Sequence, residues 1–143
     1  MKKTLDFLKI LADENRLRLV RLLAGHELFV CQLMGVLGLS QPLVSRNLAL
    51  LERCGLLQQS RRGKQVFYRL RRGLPAWQRQ LLAALDRELR DCPCLRRDAE
   101  SLERLQARMA ADGGRCDMAT LKHWMKTRRE PKEKDKENGS WKT

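Results

Sequence analysis

The chain has 143 residues, of which 43% are hydrophobic and only 5% aromatic, and 30 Lys and Arg against 17 Asp and Glu give it a formal net charge of +13. This length suits one domain with extensions, and a core built mostly from Leu favours helices. No apolar run approaches a membrane span and the N-terminus does not read as a signal peptide, so the sequence predicts a soluble cytoplasmic protein without a membrane partner. The basic excess favours nucleic acid as partner.

Four helices are predicted in the first third of the chain. Apolar residues recur at helical spacing over residues 3–12, 13–25, 29–37 and 40–54. Asp13 and Ser40 are candidate N-caps of the second and fourth helices, and Gly25 and Gly38 end the second and third.

The spacing of apolar residues is no longer helical after residue 54. Residues 56–60 and 65–70 predict two strands around Arg61-Arg62-Gly63-Lys64, a β-hairpin with a basic tip. Helical spacing returns from Pro75 until Pro93, and a further helix ends at Gly113-Gly114. The charged segment from Lys126 is typical of disorder. We therefore divide the chain into an N-terminal domain (1–91), a cysteine-containing helical extension (92–125) and a disordered tail (126–143).

Two short helices followed by a basic hairpin predict a mostly α fold with a small β-hairpin wing, a winged helix-turn-helix. The fourth helix is narrow enough for a DNA major groove, with Val44, Leu48 and Leu51 facing the core. A tri-helical core with a solvated hairpin is the alternative, but three cations at the hairpin favour DNA. The predicted DNA-binding residues are the helix cap, the exposed residues of this helix and the wing cations: Ser40, Gln41, Ser45, Arg46, Asn47, Arg61, Arg62 and Lys64.

Several motifs match one known family in order and spacing. They are L-A-D-E-N-R-L-R from Leu11, E-L-F-V-C-Q-L from Glu27, S-Q-P-L-V-S-R-N-L-A-L-L from Ser40 and F-Y-R-L from Phe67. Over roughly residues 4 to 90 the chain resembles the ArsR/SmtB family of metalloregulatory repressors. The resemblance implies a homodimer, formed by the first helix and the helix from Pro75, that binds operator DNA and is released by an inducer. Residues 1–91 are accordingly predicted to be the DNA-binding and dimerisation domain. The family usually carries His where this chain has Asn47.

The inducer motifs of the family are incomplete in this chain. The arsenic-sensing branch carries a motif resembling E-L-C-V-C-D-L-C, whereas here only Cys31 remains, with Phe29 and Met34 at the flanking positions. Cys31 alone is as consistent with a small core residue as with a ligand. The zinc-sensing branch uses Asp and His of the long dimer helix, and His26 and His123 lie outside that helix.

The sequence D-C-P-C at residues 91–94 offers another thiol site. A disulfide between residues two apart would be strained, and the surrounding charges disfavour core packing. An extended pair points both side chains the same way, and nearby cations lower thiol pKa values, so Cys92 and Cys94 are predicted to bind a thiophilic ion. The third ligand is Cys116, if the chain folds back, or Cys31 across a dimer. Cys54 is interpreted as structural.

The preferred hypothesis is a repressor that responds to arsenite or antimonite, with cadmium, zinc and lead as less favoured inducers. A redox or persulfide sensor of the same fold is the alternative. A thiol oxidoreductase is the third hypothesis, but it has no supporting fold signature and leaves the basic wing unexplained.

Overall fold

The computed structural model describes residues 1–114 and 118–127. Within these ranges the fold is mostly helical with one small antiparallel sheet, which confirms the predicted fold class. The elements, in chain order, are α1 (Lys2–Leu11), α2 (Glu14–Gly25), β1 (Leu28–Phe29), α3 (Val30–Leu37), α4 (Gln41–Arg53), β2 (Leu57–Arg62), β3 (Gln65–Leu70), α5 (Ala76–Glu88), α6 (Pro93–Ala111) and α7 (Met118–Thr127).

The helix boundaries follow local capping chemistry. The Asp13 side chain accepts a hydrogen bond from the Arg16 backbone N–H at 3.0 Å, and the Ser40 hydroxyl accepts one from the Leu43 N–H at 3.4 Å. Gly38 ends α3 with φ 67°, a left-handed conformation that a residue with a Cβ rarely adopts. The turn between α3 and α4 is therefore determined by Gly38, which ends α3, and by Ser40, which caps the start of α4.

The sheet has the order β1-β3-β2, with both pairs antiparallel. β2 and β3 form the predicted hairpin, joined by a two-residue turn in which Gly63 has φ 62°. The third helix was predicted to begin at Phe29; instead Leu28–Phe29 pairs with Tyr68 and Phe67 of β3, so the helix begins at Val30. This strand exists only because β3 supplies its hydrogen-bonding partner.

One hydrophobic core joins the helix-turn-helix to the C-terminal helices. Its buried residues include Leu19, Leu33 and Leu48 from the N-terminal helices together with Leu105 of α6 and Leu121 of α7. At Gly35 a Cβ would lie only 2.6 Å from Leu121 Cδ1, so the glycine lets α7 approach α3 closely. The Trp124 indole N–H also donates to the Gly35 carbonyl at 3.2 Å.

Pro93 begins a helix as well as following one. α5 ends at Glu88, and Pro93 is the first residue of α6 with Cys92 as its N-cap. Proline is well suited to this position because the first N–H of a helix needs no partner within the helix. The tail predicted from residue 126 lies outside the described residues except for Lys126 and Thr127, which belong to α7.

α1 and α5 leave apolar side chains exposed. Leu5, Leu8 and Trp77 are 46%, 42% and 40% exposed, and Trp77 packs edge-on against Phe7 with ring centroids 5.0 Å apart. The leucines of α5 are half-buried against the core of the same chain: Leu81, Leu82 and Leu85. No helix within the described ranges is long and apolar enough to span a membrane.

Candidate nucleic-acid interface and thiol site

The exposed face of α4 carries the polar residues expected of a DNA-reading helix. Gln41, Ser45 and Arg46 are exposed, while Val44 and Leu48 on the other face are fully buried. Ser40 is exposed, but its hydroxyl caps the helix. The arrangement leaves one face of α4 open to a ligand while the other is held in the core.

Asn47 is not part of that exposed face. Its predicted exposure is wrong, because the residue is only 4% exposed. Asn47 lies three positions after Val44 and four before Leu51, which places it on the buried side of the helix. The helical spacing of Asn47 from Val44 and Leu51 already indicates a buried position. The prediction placed Asn47 on the exposed face because its side chain is polar.

The wing holds its cations at the end of the hairpin. Arg61, Arg62 and Lys64 are all exposed. Arg62 also has partners within the chain: its Nη2 lies 2.9 Å from Glu27 Oε1, and its guanidinium lies 4.9 Å from the centre of the Phe67 ring. The wing is therefore joined to the segment before α3 through one of its own cations.

Glu27 is the hydrogen-bond acceptor that connects the wing to the segment before α3. The sequence analysis did not predict this role. Its Oε1 accepts a hydrogen bond from the Ser60 hydroxyl at 2.8 Å as well as from Arg62. The Ser60 bond, with help from the Arg62 charge, lowers the pKa of Glu27 below its ordinary value. The carboxylate is consequently ionised at neutral pH and competes with external anions for Arg62.

The two neighbouring cysteines flank the first residue of α6. Cys92 is the N-cap, with extended backbone at φ −63° and ψ 118°, whereas Cys94 already lies in the first helical turn. The predicted extended pair is therefore wrong, because Pro93 starts the helix between them. Both thiols are half-buried, and both lie at a helix N-terminus.

Cys94 contacts the beginning of α2. Its Sγ lies 3.9 Å from Glu14 Oε1. One turn further along each helix, Arg18 and Asp98 form a two-pronged ion pair, Nε to Oδ2 and Nη2 to Oδ1, both at 2.8 Å. The hydrogen bond to Asp98 raises the pKa of Arg18, although burial opposes it. The thiol pair thus lies one helical turn from the ion pair that connects α6 to α2.

The predicted lowering of the thiol pKa values does not hold for Cys94. Burial raises the pKa of the Cys94 thiol, and the nearby charge of Arg18 offsets this only in part. The carboxylates of Asp98 and Glu14 push the pKa in the same upward direction as burial. The sequence showed the cations near D-C-P-C but not the acidic side chains brought in from α2 and the next turn of α6.

The other cysteines lie elsewhere. Cys31 is half-buried against the core, and burial raises its pKa. Its neighbour Gln32 contacts Met109 at 3.6 Å, so the start of α3 lies near the C-terminal end of α6, about 20 Å along that helix from Cys94. The Cys54 thiol donates to the Leu51 carbonyl at 3.2 Å and is half-buried, which fits a structural role.

Cys116 lies outside the described residues. Within residues 1–114 and 118–127, no group of three or more His, Cys, Asp or Glu side chains is arranged to hold a metal ion. In this part of the chain Cys94, two residues from Cys92, contacts Glu14, whereas Cys31 lies near the other end of α6.

The exposed face of α4 beside a cationic wing defines the class of protein, a winged helix-turn-helix regulator. A family model described as "Bacterial regulatory protein, arsR family" matches residues 13–59. The arsenical resistance operon repressor of Escherichia coli K12 is 48% identical over 79 residues, 54% of this chain and 68% of that protein. The chain belongs to the arsR family of bacterial regulatory proteins, and the thiol oxidoreductase hypothesis is set aside.

Solved structures agree with this assignment. Reduced HlyU from Vibrio cholerae is 33% identical, with a TM-score of 0.55 over 64% of this chain and 90% of its own. The homodimeric winged helix-turn-helix DNA-binding domain of Mb0332 from Mycobacterium bovis is 25% identical, with a TM-score of 0.54 over 64% of this chain and 82% of its own. The chain is therefore similar in fold to winged helix-turn-helix regulators from two different bacteria.

Proposed function

We propose that the chain is a homodimeric repressor that binds double-stranded operator DNA and is released by a thiophilic inducer bound at Cys92 and Cys94. One observation carries the inducer site: two half-buried thiols lie at the junction of α5 and α6, and one of them, Cys94, contacts Glu14 of α2. Arsenite or antimonite is the inducer that this chemistry favours.

DNA binding is supported by the shapes and charges of α4 and the wing. One α-helix fits a major groove, and Gln41, Ser45 and Arg46 are side chains that hydrogen-bond base edges or phosphates. Arg61, Arg62 and Lys64 would add sequence-independent attraction to the phosphate backbone. Asn47 is assigned to packing because it is buried.

The inducer chemistry follows from the donors. Trivalent arsenic and antimony are soft and prefer sulfur, whereas magnesium or calcium would require oxygen ligands. A raised thiol pKa does not prevent binding, because each thiol proton leaves with a hydroxyl of arsenous acid as water. The third sulfur for an inorganic ion would come from Cys116 or from Cys31 of a second subunit. Cadmium, zinc and lead are less favoured.

Release requires that the bound ion act on the DNA-binding helices. The Arg18–Asp98 pair links α6 to α2 immediately beside Cys94, and α2 packs on α4 in the shared core. Movement of the start of α6 would therefore change the position of α4 in the dimer. Coupling of about 1–3 kcal/mol between the two sites is enough for regulation.

A redox or persulfide sensor is the second candidate. It is favoured by the presence of two adjacent thiols without a complete three-donor group among the described residues. A disulfide between Cys92 and Cys94 themselves would be strained, so oxidation would involve a third thiol.

A titration separates these candidates. The reduced full chain, bound to an operator selected from random DNA, is titrated with arsenite, cadmium, zinc or peroxide while operator binding is followed. The proposal predicts release by arsenite at the lowest concentration. Release by peroxide but not arsenite would replace it with the redox sensor, and failure to select any DNA sequence would contradict repression itself.

A further inference from the structure

A groove of about 730 Å³ lies between α2, α5 and α6. Its apolar lining consists mainly of leucine and valine side chains: Leu17, Val20, Leu82, Leu85, Leu95 and Leu102. Sites for small organic molecules commonly measure roughly 300–1,000 Å³ and are lined mostly by apolar side chains. The groove therefore has the size and the lining of a small-molecule site, and it is far larger than a void between packed helices.

The charged residues around the groove are mostly cationic. They are Arg21, Arg87, Arg90, Arg96, Asp86 and Glu103. Arg21 is already paired with Asp86. The other three arginines are exposed, and among the described residues no hydrogen bond or ion pair engages their guanidinium groups. Three unpaired cations against one remaining acid give the groove a potential that attracts an anion.

The cationic and apolar parts of the groove lie at different ends. Arg90 and Arg96 flank the short connection between α5 and α6, so both lie at the same end. Leu82 and Leu102 are about 12 Å and about 9 Å from these arginines along α5 and α6. Glu103, the remaining acid, lies at the leucine end and disfavours an anion there. A ligand with its negative charge beside the arginines would therefore place its apolar part against the leucines.

We propose that the groove binds a small amphipathic carboxylate. Its carboxylate lies between Arg90 and Arg96, whose guanidinium groups match carboxylate geometry, and its hydrocarbon chain lies along the leucines of α5 and α6. The exposed apolar side chains Leu5, Leu8 and Trp77 all lie outside the groove, which favours another place for a second subunit. This inference goes beyond the proposed function and does not involve the cysteine pair.

The ligand class is tested by isothermal titration calorimetry of the reduced full chain with sodium octanoate. Butanoate lacks four methylenes and is expected to bind at least about tenfold more weakly, because less apolar surface leaves water. Octan-1-ol has the same chain length without the charge. It is expected to bind about fivefold more weakly, since each exposed ion pair contributes little.

A matched pair of double variants tests the cationic end. Arg90→Gln with Arg96→Gln is expected to lower octanoate affinity about fivefold and to leave octan-1-ol affinity unchanged. Arg104→Gln with Arg108→Gln removes the same charge from exposed positions of α6 outside the groove. This control is expected to bind octanoate as the wild type does.

A second pair of variants tests the apolar part. Ala99 and Ala107 are both exposed on α6, but only Ala99 lines the groove. Ala99→Phe places a ring in the space of the hydrocarbon chain, so octanoate and octan-1-ol should both bind at least about tenfold more weakly. Ala107→Phe should leave both affinities unchanged.

Three outcomes would overturn the inference. Equal loss of octanoate affinity in the two arginine double variants would show that octanoate follows the net charge of the chain. Unchanged binding by Ala99→Phe would place the ligand elsewhere. No saturable octanoate binding is the result expected if a second subunit or an acidic peptide covers the groove. The Cys92→Ser, Cys94→Ser variant is expected to bind octanoate as the wild type does, so this inference is tested separately from the proposed inducer site.

Discussion

Glu27 restrains a wing cation that DNA would otherwise attract. Because its carboxylate bonds both Ser60 and Arg62, Glu27→Gln is expected to free Arg62 and to strengthen operator binding by about threefold at low salt. The gain should shrink as salt is added, since exposed charge interactions are small and screened. Fluorescence anisotropy with labelled operator measures this, and Glu100→Gln on the exposed side of α6 removes the same charge as a control.

Weaker binding by Glu27→Gln would show that the contact of Glu27 with the wing matters more for DNA binding than the release of Arg62.

The contribution of Glu27 to the stability of the fold depends on pH in a definite direction. Since the folded-state pKa of Glu27 is lowered, its contribution to stability is fully present above the ordinary Glu pKa and is lost as pH falls through the lowered value.

Asp98 is the buried partner of Arg18. The two side chains are only 3% and 15% exposed, so Asp98→Ala leaves a guanidinium without its counter-charge in a largely buried position. We expect a loss of about 3 kcal/mol in the free energy of unfolding, measured by urea denaturation. Asp112→Ala, at the exposed end of α6, is the control. A loss below about 1 kcal/mol would show that the pair does not pin α6 to α2.

The wing acts as one element in the proposed complex. Replacement of Arg61, Arg62 and Lys64 with Ala should weaken binding to every DNA sequence, and the salt dependence should fall by about one unit of slope for each phosphate that the wing no longer neutralises. Gln41→Ala should instead erode the preference for operator over random DNA. Normal operator binding by the triple variant at physiological salt would contradict the role assigned to the wing.

Elements that depend on local chemistry were predictable from the sequence. Gly38 and Ser40 define the turn of the helix-turn-helix through their own backbone and side-chain preferences, and both appear where expected. The strand Leu28–Phe29 was missed because it depends on β3, nearly 40 residues further along the chain. Pro93 was predicted only to end the helix before it. Proline is found both just after the end of one helix and at the first position of the next, so its presence does not distinguish the two roles.

The candidate site was predictable in its residue types but not in its surroundings. Cys92 and Cys94 stand out by spacing, yet Glu14, which contacts Cys94, comes from 80 residues earlier in the chain. Burial, with smaller contributions from Asp98 and Glu14, reverses the expected direction of the Cys94 pKa shift, while the charge of Arg18 opposes it.

The whole molecule is expected to be a dimer. Leu5, Leu8 and Trp77 are exposed apolar side chains on α1 and α5, whereas Leu81 and Leu85 of α5 are half-buried against the chain's own core. Leu5→Ser with Leu8→Ser should shift a dimer toward monomer in sedimentation at micromolar concentration. Met125→Ser, which removes an exposed apolar side chain from α7, should not. A wild-type monomer, with or without DNA, would remove the dimeric repressor.

The central claim is that Cys92 and Cys94 together couple an inducer to release of DNA. The most direct measurement is arsenite titration of the operator complex of the Cys92→Ser, Cys94→Ser variant, followed by anisotropy beside the wild type and Cys54→Ser. Serine keeps nearly the same size but removes the soft donor. The account predicts that all three proteins bind operator alike and that only the double variant stays bound with arsenite. Release of the double variant at the wild-type arsenite concentration would contradict it.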